Sequence, residues 1–410
     1  MKINMSMEKI NNYLLNLCFF LIMLSISITL IDVKIARVSF FVACYISVFG
    51  VLIDKKNYKK FVKILPIPLL ILGLSKIIWF YYFYNNAPDI NLNTNYIQAG
   101  KRIIFCSIII AYLLANLRNT NLNKKIIVFS VILSFIFSTI FAIYQIKIGL
   151  PRVELNTQAT GAAYMYSCIT LLLISYCLIS AKKTISYIIL SIIFLISFFI
   201  IIQTGTRTAI IFHPILFLIL VFYASGRKVR LILSLSSIMI TIAVGLFFKT
   251  EIIEKINTTN NEIAIYENSR GNEGSSLGAR FSMWNAGMYS FYQSPMGASL
   301  EQRYSQMKSY TEKENKDRAA LIFANIHLHN EIVDTLSLQG ILGAIIVIFF
   351  YISMLVKSFR EKNPMLLSVI LCLIAYGLTE VIFVSREMSI LFSLMILSAL
   401  LLNRKEKIEE

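Results

Sequence analysis

Apolar residues fall in runs of about 20, separated by short polar breaks, and the pattern repeats from near residue 13 to near residue 402. A run of that length spans a hydrocarbon layer of about 30 Å when it is helical. The pattern predicts roughly twelve spans, at 13–31, 36–53, 61–83, 101–117, 126–146, 160–181, 184–202, 208–223, 231–248, 329–356, 364–384 and 388–402. The expectation is therefore an all-α polytopic membrane protein. Residues 1–248 hold spans one to nine, 249–328 form a large loop domain, 329–402 hold the last three spans, and 403–410 are a tail. The first run follows a short basic start and has no small-residue cleavage site after it, so it reads as a retained anchor.

The 249–328 loop is too long for a simple connector and is expected to carry helices. Ser275 and Ser276 can cap one in which Phe281, Trp284, Met288 and Phe291 recur at helical spacing, with Ser294-Pro295 ending it. That apolar stripe is expected to lie on the membrane surface or against the bundle. Residues 301–318 mix both charge signs and read as a solvated helix.

Composition agrees with the pattern: 57% of the 410 residues are hydrophobic and 15% charged, far from the balance of a soluble domain. The net charge of +17 would point to nucleic acid in a soluble chain. Here much of it sits in short loops, at Lys55, Lys56, Lys59 and Lys60, at Arg118, Lys124 and Lys125, at Lys182 and Lys183, at Arg227, Lys228 and Arg230, at Lys357, Arg360 and Lys362, and at Arg404, Lys405 and Lys407. Basic loops stay cytoplasmic. Both termini are then expected inside and the large loop outside, with membrane lipids and not nucleic acid as the charged partner. All six cysteines lie within apolar runs, without C-x-x-C spacing, which argues against a disulfide framework or a thiolate metal site.

The candidate chemistry gathers on the outer side. Two of the three histidines, His327 and His329, sit in the run Asn325-Ile-His-Leu-His-Asn-Glu331, where a spans-wide apolar segment begins. Histidine titrates near neutral pH and suits a general base. An H-x-H pair can chelate from a strand, but on the helix expected here the rings diverge by about 200°, and there is no D-x-D pair to hold a divalent ion. No metal or other cofactor is expected. Glu331, four residues after His327, could orient that ring, and Asn330 could bond a sugar or a neighbouring loop. Arg207, in Gln203-Thr-Gly-Thr-Arg-Thr208, and Arg280, in Ser276-Leu-Gly-Ala-Arg280, are outward cations at helix starts, a pairing that suits an anion. Glu380 and Arg386 are expected to pair with each other or to touch a polar substrate. Lys76, near Trp79, is expected to snorkel outward, and Lys101 and Arg102 to meet lipid phosphates. His213 is given no role. The residues alone leave the division of labour between His327 and His329 open.

The spacing His329-Asn330, nine residues, Gly340-Ile-Leu-Gly343 resembles the H-N-x9-G-x-x-G signature of the O-antigen ligase family. Ala159-Thr-Gly-Ala-Ala-Tyr164, the Thr206-Arg207 pair and Ser276-Leu-Gly-Ala-Arg280 also resemble that family's motifs, in the same order. The resemblance implies a GT-C-type glycosyltransferase of the Gram-negative inner membrane. Such an enzyme moves O-antigen from undecaprenyl pyrophosphate onto lipid A-core at the periplasmic face, without metal or ATP. Carried over by position, His329 would be the base, and Arg207 and Arg280 would bind the donor pyrophosphate. The alternatives are an O-antigen polymerase, which would use the same donor with a lipid-linked acceptor, and a transporter or flippase of lipid-linked glycans.

Overall fold

The computed structural model describes residues 2–54, 57–83, 90–180 and 184–404, and the regular elements among them are all helices. In chain order these are α1 (Lys2–Ile28), α2 (Val33–Ile53), α3 (Tyr58–Ile64), α4 (Ile67–Phe83), α5 (Ile90–Asn116), α6 (Asn121–Lys147), α7 (Ala159–Ser180), α8 (Thr184–Gln203), α9 (Arg207–Ala224) and α10 (Arg227–Phe247). The loop domain follows as α11 (Lys249–Ser269), α12 (Ser276–Gln293), α13 (Leu300–Glu314) and a 3₁₀ turn (Arg318–Ile322). The chain re-enters the bundle as α14 (Glu331–Arg360), α15 (Pro364–Gly377) and α16 (Arg386–Leu402).

Each of the twelve expected spans coincides with a helix. Nine helices among the described residues are long and apolar enough to cross a membrane, and α3 with α4, bent by 79° at Pro66, makes a tenth, broken span. The remaining two, α15 at 14 residues and α16 at 17, are shorter. The expected span 364–384 ends at Gly377 because the following apolar stretch folds as a buried loop. There Glu331 Oε2 accepts the Phe383 N–H at 3.1 Å. A carboxylate inside the protein has captured a backbone donor that a continuing helix would have used.

Hydrogen bonds sort the connections into two ends. At one, Asn57 bonds Asn116, Asn119 reaches the Arg404 carbonyl and Asn403 the Glu361 carbonyl. At the other, the 153 and 156 amides reach Gln203 and Leu30, and Trp79 Nε1–H reaches the Ala298 carbonyl in the loop domain. This is the alternation the basic loops predict. Helix α7 runs through the centre with 83% of its apolar window buried, whereas only 11% of α10 is. At the start of α7, Tyr164 stacks on Tyr376 of α15 at 4.2 Å between ring centroids. Outer helices expose Phe20, Tyr45, Phe129 and Met239, which suits lipid-facing surface.

In the loop domain, α12 starts at Ser275, whose Oγ accepts the Gly278 N–H at 3.0 Å, and stops at Ser294, as the sequence predicts. Its buried face differs. Gly278, Ala279, Ser282, Met283, Ala286, Gly287 and Ser290 are buried, while Phe281, Trp284, Met288 and Phe291 are only partly so. Close approach selects small residues over apolar bulk: a Cβ on Gly287 would lie 2.4 Å from Leu328 Cδ1. The solvated reading of 301–318 is also corrected, since Arg303 on α13 is fully buried against α14. Asp317 ties the domain together by accepting from the Tyr266 and Tyr310 hydroxyls and from Asn285 Nδ2.

Helix α14 breaks once, at Gly340, with φ +66° and ψ −161°. The broken turn pairs with the loop after α12: Ala298 N–H donates to the Leu338 carbonyl and Ile341 N–H to the Pro295 carbonyl, both at 2.9 Å. Only glycine fits. A Cβ there would sit 2.3 Å from the Pro295 oxygen, in a backbone region that L side chains avoid.

Candidate active site

The segment leading into α14 is irregular, not helical, so the expectation of diverging histidines is corrected. His329 takes a left-handed conformation, φ +48°, and turns the chain so that the two rings meet at 4.3 Å between centroids, edge to face. Such a conformation costs a non-glycine residue about 1–2 kcal/mol. The surrounding bonds hold it in place. The Leu328 amide donates to Asp334 Oδ1 at 3.1 Å, and Trp284 Nε1–H donates to the Leu328 carbonyl at 3.1 Å. Asn330 caps α14 by accepting the Ile332 and Val333 amides, and its Nδ2 reaches the Leu378 carbonyl. Of its two expected roles, the neighbouring loop is the one seen.

Asp334 is itself clamped. Arg303 Nη1 donates to its Oδ1 and the Tyr96 hydroxyl to its Oδ2, both at 2.9 Å. Arg303 also donates to the Ala324 carbonyl at 2.6 Å, so one buried guanidinium braces both sides of the histidine segment. Sequence reasoning missed this pair. Its members stand 31 positions apart, and only a fold that returns α13 to α14 brings them together.

Both rings turn Nδ1 toward Glu380, at 3.1 Å from Oε2 for His329 and 3.5 Å from Oε1 for His327. Burial raises the Glu380 pKa. The hydrogen bond with His329 and the charges of both histidines outweigh that and bring it down to about 2. Burial lowers the proton affinity of His327, although Glu380 opposes this. The expected pair between Glu380 and Arg386 does not form within 4.0 Å, because the carboxylate faces the histidines. Glu331 does not orient His327 either. It is fully buried, with Oε1 3.6 Å from Lys76 Nζ and Oε2 on the Phe383 amide, so it anchors the loop that presents Glu380. Lys76, 1% exposed, does not snorkel outward; it meets this buried acid.

Arg207 and Arg280 stand at the starts of α9 and α12, as the sequence predicts. Arg207 is not free: it forms a two-pronged pair with Glu262 on α11, at 2.8 and 3.0 Å, which holds that carboxyl's pKa below its usual value. Glu262 lies in a polar run that gives no hint of a partner. Arg280 is within electrostatic reach of Glu262, and the Tyr164 hydroxyl, bonded to Thr379 at 2.7 Å, feels both Arg280 and Glu380. Tyr164 therefore lies within electrostatic reach of both Arg280 and Glu380.

On another side, a cavity of about 720 Å³ opens against His327 and Glu380 and is bordered by Arg37, Gln98, Arg102 and Arg386. Arg102 does not point at lipid. It is buried, donating to Ser389 Oγ and the Val384 carbonyl, both at 3.0 Å. His213 is fully buried and satisfied by Ser167 and Ser197.

The site can do two things. A histidine whose Nδ1–H is held by an ionised carboxylate presents Nε2 as a base. Alternatively, His327, His329 and Glu380 offer three donor atoms within 4.8 Å of one another, the donor set and spacing of a divalent metal site.

Residues 192–348 match the family model described as O-antigen ligase, a stretch that holds Arg207, Arg280, both histidines and the break at Gly340. Over 408 residues the chain is 28% identical to the O-antigen ligase of Escherichia coli (strain K12), covering 95% of this chain and 92% of that protein. Both matches bear out the resemblance drawn from the motifs.

Proposed function

We propose that this chain, an O-antigen ligase homologue and a multi-pass membrane enzyme of the glycosyltransferase type, transfers O-antigen from undecaprenyl pyrophosphate to a sugar hydroxyl of lipid A-core. The reaction takes place at the periplasmic face of the inner membrane, with both termini cytoplasmic. The observation that carries this reading is the clamp of His329 Nδ1 on Glu380, 3.1 Å long, with that carboxylate and His327 lining a cavity.

The steps follow from the groups. His329 Nε2 takes the proton of the acceptor hydroxyl as its oxygen bonds the anomeric carbon. The bond from that carbon to the pyrophosphate oxygen breaks, and its electron pair leaves with the polyprenyl pyrophosphate. Arg280 and Arg207 meet the departing charge. Glu262 already occupies two donors of Arg207, so this guanidinium shares its remaining N–H groups with the phosphate or exchanges partners as the donor arrives. Direct attack inverts the anomeric centre, and no pair of catalytic carboxylates is required.

Transfer by purified protein from lipid-linked glycan to lipid A-core tests the reading. His329→Ala is expected to fold and to abolish transfer; normal ligation by that variant overturns it. The donor set of His327, His329 and Glu380 favours a second reading in which these groups hold a metal. Loss of activity in chelator, restored by a divalent ion, selects that reading, and unchanged activity selects the base. A product lengthened on the lipid carrier instead of joined to lipid A-core would identify a polymerase.

A further inference from the structure

The cavity beside His327 has a chemistry the reaction has not yet used. Three guanidiniums border it, from Arg37 on α2, Arg102 on α5 and Arg386 at the start of α16. None has a carboxylate within 4.0 Å among the described residues. Arg386 and Arg37 lie within electrostatic reach of Arg102, and Glu387 is the nearby acid that offsets them. Arg102 is 5% exposed, and only its Nε and Nη2 have protein partners, which leaves Nη1 to the cavity. Like charges gathered around one cavity, one of them buried, repel one another unless an anion joins them. The first turn of α16 adds to this, because Ser385 at its cap makes no side-chain bond and leaves amide donors open.

We infer that this cavity binds a phosphate or other acidic group carried by the acceptor glycolipid, and so places the acceptor hydroxyl against the histidines. The inference rests on the transfer reaction proposed above. The side of the site decides for the acceptor over the donor. In an inverting displacement the nucleophile and leaving group lie on opposite faces of the anomeric carbon, and Arg207 and Arg280, which meet the leaving group, are not among the cavity's residues. A second, separate basic group is what a second anionic substrate requires. The volume, about 720 Å³, suits a few sugar residues, and the exposed Gln98 offers donors and acceptors to their hydroxyls.

The test is a two-substrate kinetic comparison of the full-length protein with Arg386→Ala and Arg37→Ala, both at accessible side chains. The acceptor KM is expected to rise about tenfold or more, the loss of one charge-assisted contact, while the donor KM and kcat stay within twofold. Arg386→Lys is expected to recover part of the loss. Chemically dephosphorylated lipid A-core should give the wild type the same raised KM and leave the variants no further loss. A raised donor KM, or a dephosphorylation penalty that adds in full to the Arg386→Ala penalty, overturns the assignment. If the wild type transfers nothing, the reaction has failed and not the site: equilibrium binding of lipid A-core, expected to be about tenfold weaker in Arg386→Ala, then reads the site alone, and equal binding rejects it.

Discussion

Replacing Glu380 with glutamine keeps the shape of the side chain and removes the charge that both histidines face. In the wild type the carboxyl sits at about 2 in place of 4.5, because its histidine contacts outweigh burial. At 1.36 kcal/mol per unit, the ionised form is favoured by roughly 3 kcal/mol when both rings carry protons. The figure is smaller when His327, whose proton affinity burial lowers, is neutral. Glutamine has one acceptor oxygen, which can keep the hydrogen bond to His329 Nδ1, while His327 loses the carboxylate charge 3.5 Å from its Nδ1. The expected result is a 10²- to 10⁴-fold fall in transfer rate, the scale on which an oriented base contributes. A stability loss of up to about 3 kcal/mol should accompany it at neutral pH. The sign fixes the pH dependence of that loss. A carboxyl with a depressed folded-state pKa stabilises fully above its ordinary value of 4.5 and loses the contribution as pH falls toward 2. Thermal unfolding in detergent should therefore show a gap between wild type and Glu380→Gln that is widest above pH 4.5 and closes below it. A variant with wild-type transfer, or a gap that stays constant down to pH 2.5, refutes the reasoning.

Asp334→Ala leaves Arg303 buried and unpaired, and is expected to cost about 3–5 kcal/mol and to release the Leu328 amide; melting in detergent measures the first and transfer rate the second. Gly340→Ala forces a Cβ to 2.3 Å from the Pro295 oxygen and should destabilise by more than the 1–2 kcal/mol of a left-handed L residue alone, again read from melting. Arg207→Lys cannot make the two-pronged contact with Glu262 and phosphate alike; donor KM is expected to rise about tenfold, and an unchanged value rejects its role. His327→Ala should keep measurable transfer while His329→Ala keeps none, and equal loss in both would place the two rings in one catalytic unit.

The spans were legible because an apolar run of fixed length has one low-energy state in a bilayer, a helix. The α12 cap and stop were legible for the same local reason, a serine oxygen supplying an amide's missing partner. Where the readings failed, tertiary partners had taken over. Residues 327–329 carry a helix-compatible pattern, yet Asp334, Trp284 and Glu380 hold them in a turn. The 301–318 segment reads as solvated, yet Arg303 finds Asp334. The span expected to continue through 384 stops at Gly377 because Glu331 takes the Phe383 amide.

The sequence by itself determined a polytopic helical protein with its polar chemistry on one side, and its motifs pointed to the ligase family. Those are consequences of local apolar periodicity, loop charge and fixed spacing. Which groups touch was decided only in three dimensions. Glu380 joins the histidines and not Arg386, Glu331 answers Lys76, and Arg37, Arg102 and Arg386 meet around one cavity. Such groupings form between elements far apart in the chain, where desolvation favours pairing or hydrogen-bonding a buried charge and helix packing decides which groups are within reach.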